Sequence, residues 1–206
     1  MAKRESTFIN MVVVLAIVTL VAGGALGGVY SLTKDAIDAA KLKAMNDAIS
    51  NVLPEFDELR ETQQLNPDDG PADVSLFPAY RNGELVGVAV SSYTRNGFSG
   101  HIGVMVGIDN QGNISGYQVL EHKETPGLGS KMGVWFNNTE KPSQNIVGRN
   151  PGNSRLAVTK DGGDIDAITA STITSRAFLE AITRAHAGFA VYAADINAIN
   201  LNKASE

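Results

Sequence analysis

Residues 166–174 read D-A-I-T-A-S-T-I-T and run into a helix predicted to begin near Ser175, with no Gly or Pro between. Hydroxyl side chains crowd this predicted helix entrance: Thr169, Ser171, Thr172, Thr174 and Ser175. A helix N-terminus has unpaired backbone N–H groups and a partial positive charge, so it attracts phosphate, which can esterify a nearby hydroxyl. The stretch therefore predicts a cofactor attachment point. The simpler interpretation is an ordinary helix N-cap at Thr174 or Ser175.

The sequence on either side of this stretch predicts an α+β domain with a mixed or antiparallel sheet and helices packed on it. An amphipathic helix is predicted over residues 175–192, and one apolar stripe contains Phe178, Leu179, Ile182, Ala185 and Phe189. Upstream, apolar runs predict an antiparallel meander with a hairpin turn at Asn82-Gly83. Its strands are predicted at 79–81, 85–93, 101–108 and 114–121, and a further short strand at 156–160.

A second informative segment, residues 121–131, follows the last strand of this meander. It reads E-H-K-E-T-P-G-L-G-S-K. Gly127 and Gly129 permit backbone conformations closed to other residues, and Pro126 stiffens the chain before them. A loop at a strand end is a common place for backbone groups to meet a ligand. The alternative is a turn without a ligand.

An apolar segment near the N-terminus predicts a membrane anchor. Residues 8–30 carry no formal charge, and at ~1.5 Å rise per residue they are long enough to cross a hydrocarbon layer of ~30 Å. Lys3 and Arg4 precede the segment, whereas the nearest basic residue after it is Lys34. The positive-inside tendency therefore predicts a cytoplasmic N-terminus. The alternative, a cleaved secretory signal, also places the following domain outside.

The residues within and just after the span contain two further patterns. Small-x-x-x-small pairs, Gly23 with Gly27 and Gly24 with Gly28, favour close packing against another membrane helix. Apolar spacing then predicts a helix over residues 33–53. Residues 54–72 have little periodicity and predict an exposed connecting stretch.

The composition excludes several classes of function. A net charge of −5 with no basic cluster argues against nucleic-acid binding, which needs a concentrated positive face. The chain has no cysteine, which excludes disulfides, thiolate metal sites and iron–sulfur ligation. Its histidines, His101, His122 and His186, form no ligand-spaced pair. No metal site is expected.

Three features together resemble the G subunit of the Rnf electron-transport complex: the run E-T-P-G-L-G at 124–129, the pattern D-x-x-[S/T]-x-x-T from Asp166, and the N-terminal anchor. In that family, FMN is joined through its phosphate to the last Thr of a D-x-x-[S/T]-G-A-T pattern. The resemblance implies attachment at Thr172. Asp166 lies three residues before Thr169, and this spacing favours Thr172 over Thr174.

The chain departs from the family's pattern at two positions. Ala170 stands where Gly is usual, and its methyl group limits how near the backbone can come to a ligand. Ser171 stands where Ala is usual and adds a competing hydroxyl beside Thr172. The attachment itself is therefore better specified than its position.

The resemblance implies FMN-binding residues, and no catalytic or metal-binding ones. Glu124 and Thr125 are expected to make polar contacts with the isoalloxazine ring, and Leu128 to cover a face of it. Thr169 and Thr174 are expected to offer hydroxyl hydrogen bonds. The whole set is Thr172, Thr169, Ser171, Thr174, Ser175, Asp166, Glu124, Thr125, Gly127, Leu128 and Lys131.

Three further positions near these motifs have open interpretations. Lys131 is either a positive charge near the phosphate or the ring edge, or an ordinary solvated lysine. Trp135, the only tryptophan, either stacks on the flavin or packs in the core or an interface. Residues 98–100, F-S-G, can bring backbone close to the site.

The implied function is that of a membrane-anchored electron carrier with covalent FMN, one subunit of an ion-translocating complex that passes electrons between ferredoxin and NAD. The alternative is the related C subunit of the sodium-pumping NADH:quinone reductase, which is usually longer. No turnover is expected from the isolated subunit, since the chain has no G-x-G-x-x-G fingerprint. A hypothesis of another class is a non-redox membrane-tethered binding or scaffold module.

The predicted organisation has one domain behind one anchor. The expected partners are other membrane subunits of the complex and a flavin transferase that attaches FMN. The expected location is the bacterial inner membrane, with the flavin domain on its periplasmic side. The segments are a cytoplasmic N-terminus at 1–7, the transmembrane helix at 8–30, a juxtamembrane helix and connecting segment at 31–72, the FMN-binding domain at 73–194 and a polar C-terminal tail at 195–206.

Overall fold

The N-terminal part of the chain forms one long helix, α1 (Phe8–Val52), in the computed structural model, which describes residues 7–66 and 74–204. The chain divides into two units, residues 1–44 and 45–206. In the first, the apolar side chains of 8–30 are exposed. By length and composition, α1 is the one helix among the described residues able to cross a membrane. The helices predicted at 8–30 and 33–53 are both parts of it.

The second unit contains a six-stranded antiparallel sheet. Its strands are β1 (Glu58–Leu59), β2 (Gln63–Leu65), β3 (Val74–Arg81), β4 (Glu84–Gly97), β5 (Gly100–Asp109) and β6 (Ile114–His122). The spatial order is β1-β3-β4-β5-β6, with β2 also paired to β3. The predicted α+β class and antiparallel meander are confirmed, and every meander strand is longer than predicted.

Helices cover both faces of this sheet. The C-terminal helix α3 (Thr172–Ala204) contributes Phe178 and Ile182 to a core that includes Val88 and Val90 of β4. Residues 45–52 of α1 pack on the opposite face of the sheet. Ala89, which lies between Val88 and Val90 in β4, points to that face. The strict alternation of side chains along β4 therefore supplies both cores. The absence of a side chain at Gly107 lets the end of α1 approach β5 closely.

The connecting regions differ from the sequence predictions. Residues 54–72 were predicted to be an exposed connection, but they include β1 and β2. These strands are two and three residues long and mostly exposed, so no alternation marks them. The strand predicted at 156–160 is wrong, because Val158 makes one isolated bridge and a 3₁₀ turn follows at Thr159–Asp161. Residues 67–73 lie outside the described residues.

The final helix is longer than predicted at both ends. It was predicted over 175–192, but it begins at Thr172 and its backbone continues to Ala204. The polar tail predicted at 195–206 is therefore helical in its described part. The earlier start places Thr172 in the first helical turn. The ordinary N-cap interpretation for Thr174 and Ser175 is wrong, since both lie inside the helix.

Candidate functional site

The two sequence motifs meet at one cavity of about 350 Å³. One wall comes from the loop after β6 and the other from the start of α3, which lie far apart in the sequence. The turn between β4 and β5 completes it. The lining residues are Phe98, Glu124, Thr125, Leu128, Gly129, Ala170, Ser171, Thr172, Ile173 and Thr174.

A tight turn sets the start of α3. The Ser171 N–H donates to the Ile168 carbonyl at 2.9 Å, and Ala170 has a φ of +60°, in the left-handed region. The Ser175 hydroxyl donates to the Ser171 carbonyl at 2.9 Å and accepts from the Ile168 N–H at 3.0 Å. These bonds fix the turn against the first turn of the helix. A Gly at position 170 would suit this backbone, whereas Ala there is strained.

The hydroxyls near the helix start differ in accessibility. Ser171, Thr174 and Ser175 are buried, with exposed fractions of 8%, 1% and 0%. Thr172 is half-buried and lines the cavity, and its hydroxyl makes no hydrogen bond within the described part of the chain. Thr169 is exposed and does not line the cavity. Among the hydroxyls at the start of α3, Thr172 is thus the accessible one inside the cavity; the exposed Thr125 lines the cavity from the loop after β6.

The loop after β6 turns sharply on its own backbone. The N–H groups of Leu128 and Ser130 both donate to the Thr125 carbonyl, at 3.2 and 3.3 Å. The Gly127 N–H donates to the Ser130 hydroxyl at 2.9 Å, and its φ of +76° requires the freedom of glycine. As a result, Leu128 lines the cavity while 41% exposed, and Glu124 points inward and is buried.

Asp166 and Trp135 act beside the site, outside the cavity lining. The Asp166 Oδ2 accepts from the Ser143 hydroxyl at 2.7 Å, and the Asp166 N–H donates to the Ser143 carbonyl at 2.6 Å. The Trp135 indole N–H donates to the Asp166 carbonyl at 2.8 Å, and its ring packs against the core. Both residues hold the chain that leads to the turn before Thr172.

Two other charged residues lie close to the site in sequence. Lys131 is exposed and does not line the cavity. Arg176, one turn after Thr172, makes a two-pronged ion pair with Asp161, each bond 2.7 Å long. The hydrogen bonds from Arg176 lower the pKa of the Asp161 carboxyl. Arg176 therefore has a fixed carboxylate partner on the exposed side of α3.

Tyr117 of β6 anchors the segment that follows the loop. Its hydroxyl donates to the Met132 carbonyl at 2.9 Å and accepts from the Phe136 N–H at 3.2 Å. Burial raises the pKa of Tyr117, so the hydroxyl stays protonated and keeps its donor role. The short helix α2 (Met132–Trp135) is thereby held on the sheet.

The sequence did not assign Phe98 and Ile173 to the cavity as apolar contacts, yet both line it. Phe98 is 68% exposed and Ile173 is 51% exposed. Together with Leu128 they give the cavity an apolar rim, while Thr172 and the α3 N-terminus give it a polar side. This combination fits a flat apolar ring system that carries a phosphate. An apolar side chain at a polar helix start, as at Ile173, was the available signal.

Comparisons with known proteins agree with this fit. A model of the FMN-binding domain matches residues 97–187. Several relatives are G subunits of an ion-translocating oxidoreductase complex, among them that of Vibrio vulnificus, 34% identical over 179 residues and 82% of each chain. That of Vibrio parahaemolyticus is 34% identical over 181 residues and 82% of each chain. That of Cronobacter sakazakii is 33% identical over 178 residues, 84% of this chain and 86% of the relative.

The chain belongs to this family of G subunits. The family predicted from the two short motifs is confirmed. The FMN-binding match contains both motifs of this G subunit, together with β5, β6 and the first half of α3. The cavity between the motifs therefore lies inside the part of the G subunit that matches a flavin domain.

Proposed function

We propose that this G subunit carries FMN on Thr172 as a phosphate ester and relays electrons through it within an ion-translocating complex. The coarser statement rests on the family: the chain is a membrane-anchored FMN electron carrier. The ester and its position are the proposal. When bound, the flavin supplies the redox chemistry, and the protein's residues bind it, orient it and limit its contact with water.

The accessibility of Thr172 carries the proposal. The other hydroxyls at the start of α3 are buried or lie outside the cavity lining. The exposed Thr125 also lines the cavity, but it belongs to the loop after β6, whereas Thr172 combines partial exposure with a place in the first turn of α3. The backbone N–H groups of that turn have no intrahelical acceptors, so they stabilise a phosphate bonded to the Thr172 oxygen. Ser171, despite its position next to Thr172, is buried and less accessible.

The remaining residues divide into two groups by position. Thr125, Leu128, Phe98 and Ile173 line the cavity and are proposed to contact the ring system. Thr169, Gly127, Lys131, Asp166 and Ser175 lie outside the lining, and for these we propose indirect roles in shaping the loops. An apolar rim keeps water from the ring faces, which is one way in which a protein adjusts a flavin.

The attachment is tested by mass and colour. The full chain is expressed with a flavin transferase in three forms: unchanged, Thr172→Val and Thr174→Val. The unchanged chain and Thr174→Val are expected to be yellow and heavier by one FMN less one water, with the added mass on the peptide that contains Thr172. Thr172→Val is expected to be colourless and unmodified. A modified Thr172→Val chain, or an unmodified natural chain, would contradict the ester at this position.

The membrane arrangement belongs to the same proposal. We propose that residues 8–30 span the inner membrane, that the N-terminus is cytoplasmic and that the flavin domain lies on the periplasmic side. The charge asymmetry of Lys3 and Arg4 supports this orientation. The partners are the other membrane subunits of the complex and the transferase. Covalent attachment suits this location, because a cofactor outside the cytoplasm would be lost on dissociation.

A further inference from the structure

Glu124 is the only buried carboxylate within the described residues, with 4% of its surface exposed. Both of its oxygens already have protein donors. Oε2 accepts from the Thr174 hydroxyl at 2.6 Å, and Oε1 accepts from the Ser99 N–H at 2.8 Å. This arrangement differs from a side chain held open for a polar contact with a ring edge.

Two glycines make room for this carboxylate. A Cβ at Gly129 would lie 2.6 Å from Glu124 Oε2 and 2.8 Å from the Thr174 hydroxyl oxygen. A Cβ at Gly97 would lie 2.8 Å from Glu124 Oε1. Any other residue at either position would displace the carboxylate or its neighbours. Gly129, the last residue of E-T-P-G-L-G, therefore leaves the space that is occupied by the carboxylate of Glu124, the first residue of the same motif.

We propose that Glu124 is a positioning residue that fixes the apolar rim of the cavity. It acts through its hydrogen bonds to Thr174 and Ser99, which together form the Glu124 clamp. The clamp joins three separate segments, and each contributes a rim side chain. Phe98 directly precedes Ser99, Ile173 directly precedes Thr174, and Leu128 belongs to the loop that begins at Glu124. The proposal rests on flavin binding at this cavity.

The energetics favour a clamp over a loose contact. Removal of a buried carboxylate with two hydrogen bonds leaves both donors, here the Thr174 hydroxyl and the Ser99 N–H, without this acceptor. The partial positive charge at the start of α3 stabilises its negative charge. Glutamine can keep both hydrogen bonds without the charge, since its amide oxygen accepts from Ser99 and its amide nitrogen donates to the Thr174 oxygen. Glu124→Gln therefore separates the effect of the hydrogen-bond geometry at position 124 from the effect of the negative charge.

The test uses the full chain expressed with a flavin transferase. The variants are Glu124→Ala, Glu124→Gln and Thr174→Val, with Glu121→Gln as the control, because Glu121 is an exposed glutamate near the end of β6, the strand that precedes Glu124. Intact mass reports FMN attachment, visible circular dichroism reports the ring environment, and amide hydrogen exchange at Ser99 reports the clamp without any flavin. The dichroism requires the attached flavin, whereas Ser99 exchange does not.

The clamp predicts a specific pattern. Glu124→Ala speeds exchange at Ser99 by roughly tenfold and alters the flavin dichroism, while attachment by mass persists. Thr174→Val alters the dichroism with a smaller effect at Ser99. Glu124→Gln and Glu121→Gln match the natural chain in both. If Glu124→Ala does not fold, the Glu124→Gln and Thr174→Val pair carries the same comparison.

Two results would overturn the clamp. One is unchanged exchange and dichroism in Glu124→Ala. The other is Glu124→Gln altering the dichroism while Thr174→Val does not, which would mean that the charge of Glu124 acts directly on the flavin. A natural chain that acquires no FMN would instead refute the proposed function, and Ser99 exchange in the unloaded variants would still decide the clamp.

Discussion

Burial distinguishes hydroxyls that are chemically almost alike at the start of α3. The Thr174 hydroxyl is 50 residues from its acceptor Glu124 in sequence, and this long-range bond removes it from solvent. The Ser175 hydroxyl is engaged by local backbone. The turn at Ala170 makes α3 begin at Thr172. Thr172 therefore lies in the first helical turn, where its hydroxyl stays accessible. The backbone conformation at Ala170 thus contributes to which hydroxyl at the start of α3 is accessible.

Replacing Ala170 with Gly is expected to stabilise the fold. Ala170 has a φ of +60°, a region that costs an L-residue roughly 1–2 kcal/mol, whereas Gly there costs about 0.5–1 kcal/mol of extra unfolded-state entropy. The expected net gain is about 0.5–1 kcal/mol in the free energy of unfolding. Urea denaturation of the purified chain in detergent measures it.

A matched substitution at Ala190 gives the control for Ala170→Gly. Ala190 is exposed within α3, so Ala190→Gly is expected to lower the free energy of unfolding by about 1 kcal/mol. Opposite signs at the two positions would establish that the left-handed backbone causes the gain. A loss of stability at both would contradict the strain at position 170.

Some site residues were predictable from the sequence and others were not. Glu124, Thr125, Leu128 and Thr172 stand in short motifs, and all four line the cavity. Phe98 and Ile173 line it too. The polar helix start around Ile173 was a signal for that residue, whereas nothing in the sequence distinguishes Phe98 from a core residue. The two interpretations of Lys131, a charge near the flavin or an ordinary solvated lysine, differ in which way a turn points. Side-chain direction in irregular loops is set by long-range hydrogen bonds that periodicity does not report.

At the scale of elements, the predictions succeeded where a periodic pattern existed. Strands β4, β5 and β6 were found from their apolar runs, although all of their ends except the start of β6 were missed by one to four residues. The strands β1 and β2 are defined by pairing with β3 and have no pattern of their own. The start of α3 was missed by three residues because the turn at Ala170, rather than an apolar stripe, determines it.

The glycine pairs in α1 predict a contact between membrane helices. A Cβ at Gly23 or Gly27 would meet nothing within 4 Å among the described residues, so packing against those residues does not explain the small side chains. In lipid, they let a partner helix approach closely. Gly23→Leu combined with Gly27→Leu is therefore expected to reduce co-purification with the membrane complex, measured by affinity capture from detergent-solubilised membranes.

The control for the glycine pair keeps the same spacing and membrane. Val14→Leu combined with Val18→Leu enlarges two exposed apolar side chains four residues apart on α1. This double variant is expected to co-purify as the natural chain does. Equal association of both double variants with the complex would remove the proposed contact at Gly23 and Gly27.

At the scale of the whole molecule, the two units have different roles: the first suits a membrane, and the second contains the cavity. Residues 8–30 are apolar and exposed, which suits a lipid environment. Residues 45–206 have their own two-sided core and the flavin cavity. In the proposed topology, the charge at the N-terminus favours one side of the membrane for the cavity, and that side limits which electron carriers can reach it.

The absence of cysteine makes the proposed topology directly measurable. A single introduced thiol is the only reactive one, so Ala2→Cys and Ser154→Cys report one side of the span each. Ser154 is exposed in the flavin-domain unit. Because Lys3 and Arg4 favour a cytoplasmic N-terminus, an impermeant maleimide should label Ser154→Cys in spheroplasts and Ala2→Cys only after lysis. Labelling in the reverse pattern would place the cavity in the cytoplasm and remove the argument that covalent attachment prevents cofactor loss outside it.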